Sequence, residues 1–412
     1  MRASERLRGA GALVLAALPL AMAAANRSSP AVMALSAVLF LAAALAEDRR
    51  AAWVAVTAPL RTAAGLTALA FLGWCCLSLA WSPFPALSWR TAGEFGPTLL
   101  AAYLVARLAP GRMPPGTALA AAWMMGLAGV YILADLAADL AVQKALGGRV
   151  AYFIFNRPVL TMLLLVGPLA AVLVRRGHSL AAGLVGFVVA AAILCSVSGA
   201  ATLGLLAGTG LALAAWFLPR RAGLGLAGAV LTLAVILAPV EGDLLHRLMP
   251  EAAHERLVQS SSRARVAIAR GFGAAVAADP WRGAGYGTAG RFAETPVTEA
   301  MDPEWRGMLA VGHPHNSFLQ VWAELGLVGA GLMAALLFLA LRAIAALPRL
   351  QAVTALGVLG AATAVAFVEH GAWQGWWVAG LGGAVTWLRD GWAAPARVTP
   401  AIDAPAEARR AA

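Results

Sequence analysis

The chain of 412 residues is 61% hydrophobic and 12% charged, with a mean hydropathy of +0.77, values that exclude a water-soluble globular domain. Its net charge of +11 comes with no soluble basic region that could grip a nucleic acid, so the arginines are read as a topology signal. The three cysteines, Cys75, Cys76 and Cys195, all fall inside apolar stretches and offer neither a disulfide framework nor a zinc spacing.

At roughly 17 to 25 apolar residues per span, the sequence predicts an all-α polytopic membrane protein. About twelve transmembrane helices are expected, near 9–26, 31–46, 63–81, 94–109, 116–141, 158–174, 179–197, 200–218, 223–240, 316–342, 351–369 and 373–388. Residues 1–240 would hold nine of them, 241–314 one long extramembrane loop with short helices, 315–390 the last three, and 391–412 a tail. The first stretch has the basic start, apolar run and small-residue site (Ala21-Met22-Ala23) of a secretory signal. Its removal would spoil the charge alternation that follows. Arg2, Arg6 and Arg8 precede the first span, Arg49 and Arg50 follow the second, and the pairs Arg107/Arg112, Arg175/Arg176, Arg220/Arg221 and Arg342/Arg349 follow every second span after that. All fall on one side, which the positive-inside rule makes cytoplasmic together with both termini.

Near the outer end of the fifth span stand Asp135 and Asp139, either an acidic pair or partners for Lys144 or Arg149. At the mouth of the sixth, Phe155-Asn156-Arg157-Pro158 places a proline in the first helical turn. Arg157 is then a cation at a helix N-terminus, unfavourable unless an anion joins them, or an arginine that snorkels to the interface. In the long loop, Ser260-Ser261-Ser262 forms an N-cap cluster for a helix that ends before Asp279-Pro280. At 100° per residue, Arg265 aligns with Ile268, Phe272 and Val276, whereas Arg263 and Arg270 share the opposite, solvated face. A guanidinium on an apolar stripe needs an anion, either a ligand or one of the loop's own carboxylates. The turn Asp279-Pro-Trp-Arg-Gly-Ala-Gly-Tyr-Gly287 follows; no strand precedes it, so a nucleotide fold is not expected.

The tenth span opens with His313-Pro-His315-Asn316, polar groups at the mouth of an apolar helix. Each imidazole has a bland alternative, a hydrogen bond to a neighbouring helix. Glu324 lies about 13 Å further along a straight helix, too deep to work directly with His315, and is expected to pair structurally with another helix. Gly326, Gly329 and Gly331 are expected to permit close helix packing. The Ala- and Pro-rich residues after Trp392 are expected to be a disordered tail.

Four elements resemble the O-antigen ligase and Wzy polymerase family of bacterial polysaccharide enzymes: Trp81-Ser-Pro-Phe-Pro85, Asn156-Arg157, Arg265 about fifteen residues before Pro280-x-x-Gly283-x-Gly285, and His315-Asn316 through Gly329. They occur in order over residues 74–331. Ser196-Val-Ser-Gly-Ala200 departs from the pattern, lacking a cation many members carry there. The resemblance implies a GT-C-like, metal-independent glycosyltransferase without a cofactor, in the bacterial inner membrane with its site facing the periplasm. Its donor would be an undecaprenyl-pyrophosphate-linked glycan and its acceptor lipid A-core or another glycan. The catalytic roles fall on Arg157, Arg265 and His315, with Asn156, Arg263, His313 and Asn316 as substrate-binding candidates. Within the family a ligase is favoured over a polymerase. A transporter or flippase for a lipid-linked anion is the reading from another class, against which stand the absence of an internal repeat and the clustering of polar groups at one face.

Overall fold

The computed structural model describes residues 3–145, 147–148, 150–256, 262–369 and 371–392. The expected tail after Trp392, the cap residues Ser260 and Ser261, and Arg149 lie outside the described residues. Among the described residues nineteen α-helices run in order: α1 (Ala3–Ala16), α2 (Leu18–Ala24), α3 (Ser29–Glu47), α4 (Arg49–Thr57), α5 (Ala63–Ser78), α6 (Pro85–Leu108), α7 (Thr117–Ala137), α8 (Ala141–Ala145), α9 (Asn156–Arg175), α10 (Ser179–Cys195), α11 (Gly199–Phe217), α12 (Arg220–Leu237), α13 (Glu241–Leu248), α14 (Glu251–Arg256), α15 (Ser262–Ala278), α16 (Pro303–Met308), α17 (Ser317–Ala345), α18 (Arg349–Val368) and α19 (Gly375–Asp390). There is no strand among the described residues.

Local chemistry sets the boundaries. Asp48 accepts from Ala51 N to start α4, Thr62 from Gly65 N to start α5, and Ser198 from Ala201 N to start α11, each satisfying an orphan amide of a first turn. Helices cover every stretch expected to span. Eight of the described helices are long and apolar enough to cross a membrane, or nine if α1 and α2, bent by 48°, form one broken span. α6 carries Arg90 and Glu94 in its outer half, and α10 and α19 have only 17 and 16 residues.

One large apolar core joins α1–α3, α6, α7, α9, α10 and α19, and a second joins α12, α15 and the start of α17 around Phe272, Phe292 and Phe318. The arginines expected on one side gather at one end of the bundle, where they tie helix ends together. Arg8 pairs with Glu47, Arg176 with Asp390 at 2.7 Å, Arg107 donates to Ala55 O at 3.0 Å, and Arg220 and Arg349 reach carbonyls across the α11–α18 region.

The decisive departure from expectation is in α17, which is not straight. Gly326 has φ +62° and ψ −161°, a conformation that essentially only glycine adopts, and the helix breaks there. The Pro280–Gly287 turn docks against the opened backbone: Ala284 N donates to Ala323 O at 3.0 Å, Gly285 N to Glu324 O at 2.8 Å, and Leu327 N to Pro280 O at 2.8 Å. Trp74 Nε1 closes on Leu325 O at 2.9 Å and Trp81 Nε1 on Gly283 O at 3.2 Å, which gives the Trp81 element its structural role. Gly326 is therefore a break rather than a packing site, and a Cβ at Gly331 would meet nothing within 4 Å.

A Cβ on Gly326 would stand 2.3 Å from Trp281 O in addition to straining the backbone by about 1–3 kcal/mol. Gly326→Ala should sharply reduce the monodisperse fraction and melting temperature of purified protein, whereas Gly331→Ala should match wild type. Equal behaviour of the two variants in size-exclusion and thermal-shift measurements would show that the docked turn does not depend on the break.

Candidate functional site

The connection between α2 and α3, the start of α9, the segment before α17 and the turn between α18 and α19 meet at the end of the bundle opposite the arginine ties. They enclose a cavity of ≈ 480 Å³ lined by Arg27, Asn156, Arg157, His313, His315, Glu369 and Trp376, among others. A second cavity of ≈ 580 Å³ adjoins it and shares Arg27, Arg157, His313, Gln374 and Trp376. Thr91, Glu94, Gln320, Glu324 and Trp373 line only the second.

Arg157 is the second residue of α9, and its guanidinium lies 5.5 Å from the Trp376 ring centroid, close enough for a cation–π contact. The charges that bear on it are those of Arg27 and Glu369. Asn156 Oδ1 is buried without a hydrogen-bond partner among the described residues. Arg265 sits at the margin of the buried face of α15, 34% exposed, while Val266, Ile268, Ala269 and Phe272 form its centre. Its guanidinium donates to Val368 O and to Glu369 Oε2, the latter at 3.3 Å. The carboxylate that meets Arg265 thus comes from the end of α18 and not from the loop itself, which was one of the two sources the sequence left open. Burial pushes the Glu369 carboxyl up, against the opposing pull of Arg265 and Arg157.

His313 and His315 stack edge to face, ring centroids 4.2 Å apart, and His315 N donates to His313 Nδ1 at 3.3 Å. An accepting Nδ1 places the proton of a neutral His313 on Nε2. His315 has φ +54°, a left-handed conformation rare outside glycine and asparagine, and its Nδ1 has no hydrogen-bond partner among the described residues. Burial, the neighbouring His313 and the positive Arg265 push the His315 imidazole down to about 4, against a hydrogen bond with the Glu369 backbone. Burial and Arg265 also lower His313. Both imidazoles are neutral at pH 7.

Other candidates are placed elsewhere. Asn316 is 1% exposed and lines neither cavity; its Oδ1 accepts from Phe318 N and Leu319 N as the N-cap of α17, and its Nδ2 donates to Glu241 Oε2 at 2.7 Å. Both of its side-chain polar atoms are engaged by the protein itself. Arg263 is exposed and pairs with Glu251, away from both cavities. Arg270 is not on a freely solvated face, since it pairs with Asp243 at 2.8 Å and covers the Trp305 ring. Asp139 pairs with Lys144 and accepts from Tyr152 OH, while Asp135 Oδ1 accepts from Val142 N; they form no acidic pair. Glu324 is fully buried and accepts from Gly287 N, Ala289 N, Gln320 Nε2 and Trp373 Nε1 at 2.6–2.9 Å, so its main partner is the docked turn rather than another helix.

Four cavity residues escaped the sequence reading: Arg27, Glu369, Gln374 and Trp376. Arg27 and Glu369 sit in connections of a few residues that carry no motif. A signal was present for Glu369 alone, as an unmatched carboxylate at the predicted outer end of a span.

No curated protein matches the chain. Residues 182–334, from within α10 to within α17, match the family described as O-antigen ligase. That region includes Arg265, His313, His315, the docked turn and the break at Gly326, and its match supports the resemblance to the O-antigen ligase and Wzy polymerase superfamily.

Proposed function

We propose that this protein is a membrane glycosyltransferase, an O-antigen ligase that transfers a glycan from undecaprenyl pyrophosphate to lipid A-core at the periplasmic face of the inner membrane. The observation that carries the proposal is that Arg157, His313 and His315, from distant parts of the chain, line one cavity whose carboxylate, Glu369, is bridged to Arg265. The reading includes a GT-C-like bundle of about twelve spans, with α6, α10 and α19 as the shorter or more polar crossings and residues 241–314 as a periplasmic loop.

In the transfer, the bond between the sugar anomeric carbon and the phosphate oxygen breaks, and the acceptor hydroxyl oxygen bonds to that carbon. The lipid diphosphate leaves with the electron pair, and fixed guanidiniums stabilise the charge that develops on it. The acceptor proton passes to a neutral imidazole, for which His315, with an unpartnered ring nitrogen, is the base. The adjoining cavity, with indoles, carboxamides and Thr91, has the amphipathic lining a sugar needs and takes the acceptor. Its boundary with the first cavity at Arg157, His313 and Trp376 brings acceptor and leaving group together.

Analysis of glycolipids in a deletion strain tests the assignment. Unligated long chains on the lipid carrier identify a ligase, single repeats a polymerase, and normal glycans with altered carrier sidedness a flippase. In reconstituted transfer assays, Arg157→Ala and Arg265→Ala should each lower turnover by more than a hundredfold, and Lys should rescue poorly because it lacks the planar fork. Arg263→Ala should stay within about twofold, as expected of an exposed pair. Near-normal activity in Arg265→Ala would remove it from the donor site.

A general base works in its unprotonated form, so activity should fall as pH drops through the His315 pKa. With that value near 4 in the free enzyme, kcat/KM should be flat from pH 6 to 8 and decline only in acid. A bound diphosphate favours the imidazolium, so the midpoint in kcat should lie above that in kcat/KM. His315→Gln with substantial activity and an unchanged profile would rule out proton transfer.

Because guanidiniums supply the positive charge in this scheme, activity should survive excess EDTA. Loss on chelation with recovery on adding magnesium or manganese would overturn it.

A further inference from the structure

Arg27 stands in the turn between α2 and α3, about 130 residues from Arg157, yet it lines both cavities together with Arg157. The turn is fixed: Ser28 N donates to Ala25 O at 2.9 Å, and Asn26 Nδ2 reaches Ile154 O at 3.2 Å, in the segment that leads into Arg157. No carboxylate pairs with Arg27 among the described residues, and its charge bears directly on Arg157. The one carboxylate lining the first cavity, Glu369, is already bridged to Arg265. In the second cavity Glu94 is held by Arg90 at 2.9 Å and Glu324 by its four donors. Two guanidiniums therefore face one space without an ion-pair partner among the described residues, and each also sits at the start of a helix whose N-terminus lacks a side-chain cap. Both like-charge repulsion and the helix dipoles oppose this arrangement until an anion enters.

We propose that Arg27 and Arg157 form a two-point clamp for a diphosphate, one guanidinium to each phosphate group, with Arg27 as a substrate-binding residue of the donor site. The inference rests on the transferase reading above, and it adds a specificity: the clamp selects a diphosphate over a monophosphate leaving group. Planar guanidiniums suit this task because each can hold two phosphate oxygens at once.

Isothermal titration of the full-length protein in detergent micelles with inorganic pyrophosphate and with inorganic phosphate tests it. Wild type should bind pyrophosphate at least tenfold more tightly than phosphate. Arg27→Gln should lose that preference, while its remaining weak affinity for both ions matches the wild-type affinity for phosphate. Arg27→Lys, which keeps the charge, should retain part of the preference and controls for misfolding, as does Arg6→Gln at the far end of the bundle. If Arg157→Ala abolishes pyrophosphate binding and Arg27→Gln keeps the full preference, the clamp is wrong and the transferase reading stands. If wild type binds neither ion, the diphosphate leaving group itself is wrong and the clamp falls with it.

Discussion

The buried carboxylate of Glu324 organises this end of the molecule. Four N–H donors converge on its two oxygens, two from the backbone of the docked turn, one from its own helix and one from Trp373 beyond α18. Hydrogen bonds to a charged group contribute about 1.5–3 kcal/mol each, and here they tie three chain segments to one point. The break at Gly326 lies two residues away and exposes backbone groups that the turn satisfies, Leu327 N donating to Pro280 O and Glu324 O accepting from Gly285 N. Carboxylate and break act together: one recruits the turn by side chain, the other by main chain. One wall of the second cavity is the surface they create, with Gly287, Ala289 and Glu324 all on it.

Across the shared boundary the logic reverses. Where Glu324 is saturated with partners, the first cavity collects cations that are not. Arg157 and Arg27 face it beside only one carboxylate, which Arg265 already holds. The imidazoles remain neutral in this positive field, as burial and Arg265 both demand, so they add hydrogen-bonding capacity without adding charge. Arg27 and Arg157 line both cavities, so the unpaired positive charge lies at their shared boundary beside Trp376, while His315 and Glu369 line only the first and Gln320 and Glu324 only the second.

Most helices were legible because apolar runs of membrane length leave few alternatives, and the arginine ties at the other end bear out the charge alternation that assigned them to a common side. Arg157 was legible from Pro158, which fixes the helix start, and Arg265 from its alignment with Ile268 and Phe272. What the sequence concealed were long-range partners. Periodicity reports which face of α15 is buried but not that Glu369, 104 residues away, answers Arg265. It also assumes a continuous helix, so Gly326 looked like a packing glycine and Glu324 like a helix-to-helix pair. For Asn316 a cap and a ligand use the same side-chain groups, so the sequence did not reveal the cap or the bond to Glu241.

That last bond has a consequence for how the protein is made. Glu241 and Asn316 bracket the whole excursion between α12 and α17, and at 2.7 Å they clasp its two ends together. The clasp cannot form until the chain has been made as far as the cap of α17. Arg265 belongs to the excursion, whereas Arg157 and Arg27 belong to the helices made before it. The half-built protein emerging during synthesis would thus display its earlier guanidiniums without the third, so competence arrives in one late step. The same closure means that a segment exchanged at those two positions would bring its own cap and clasp but would still have to meet Trp81, Glu324 and Glu369 in the bundle that receives it.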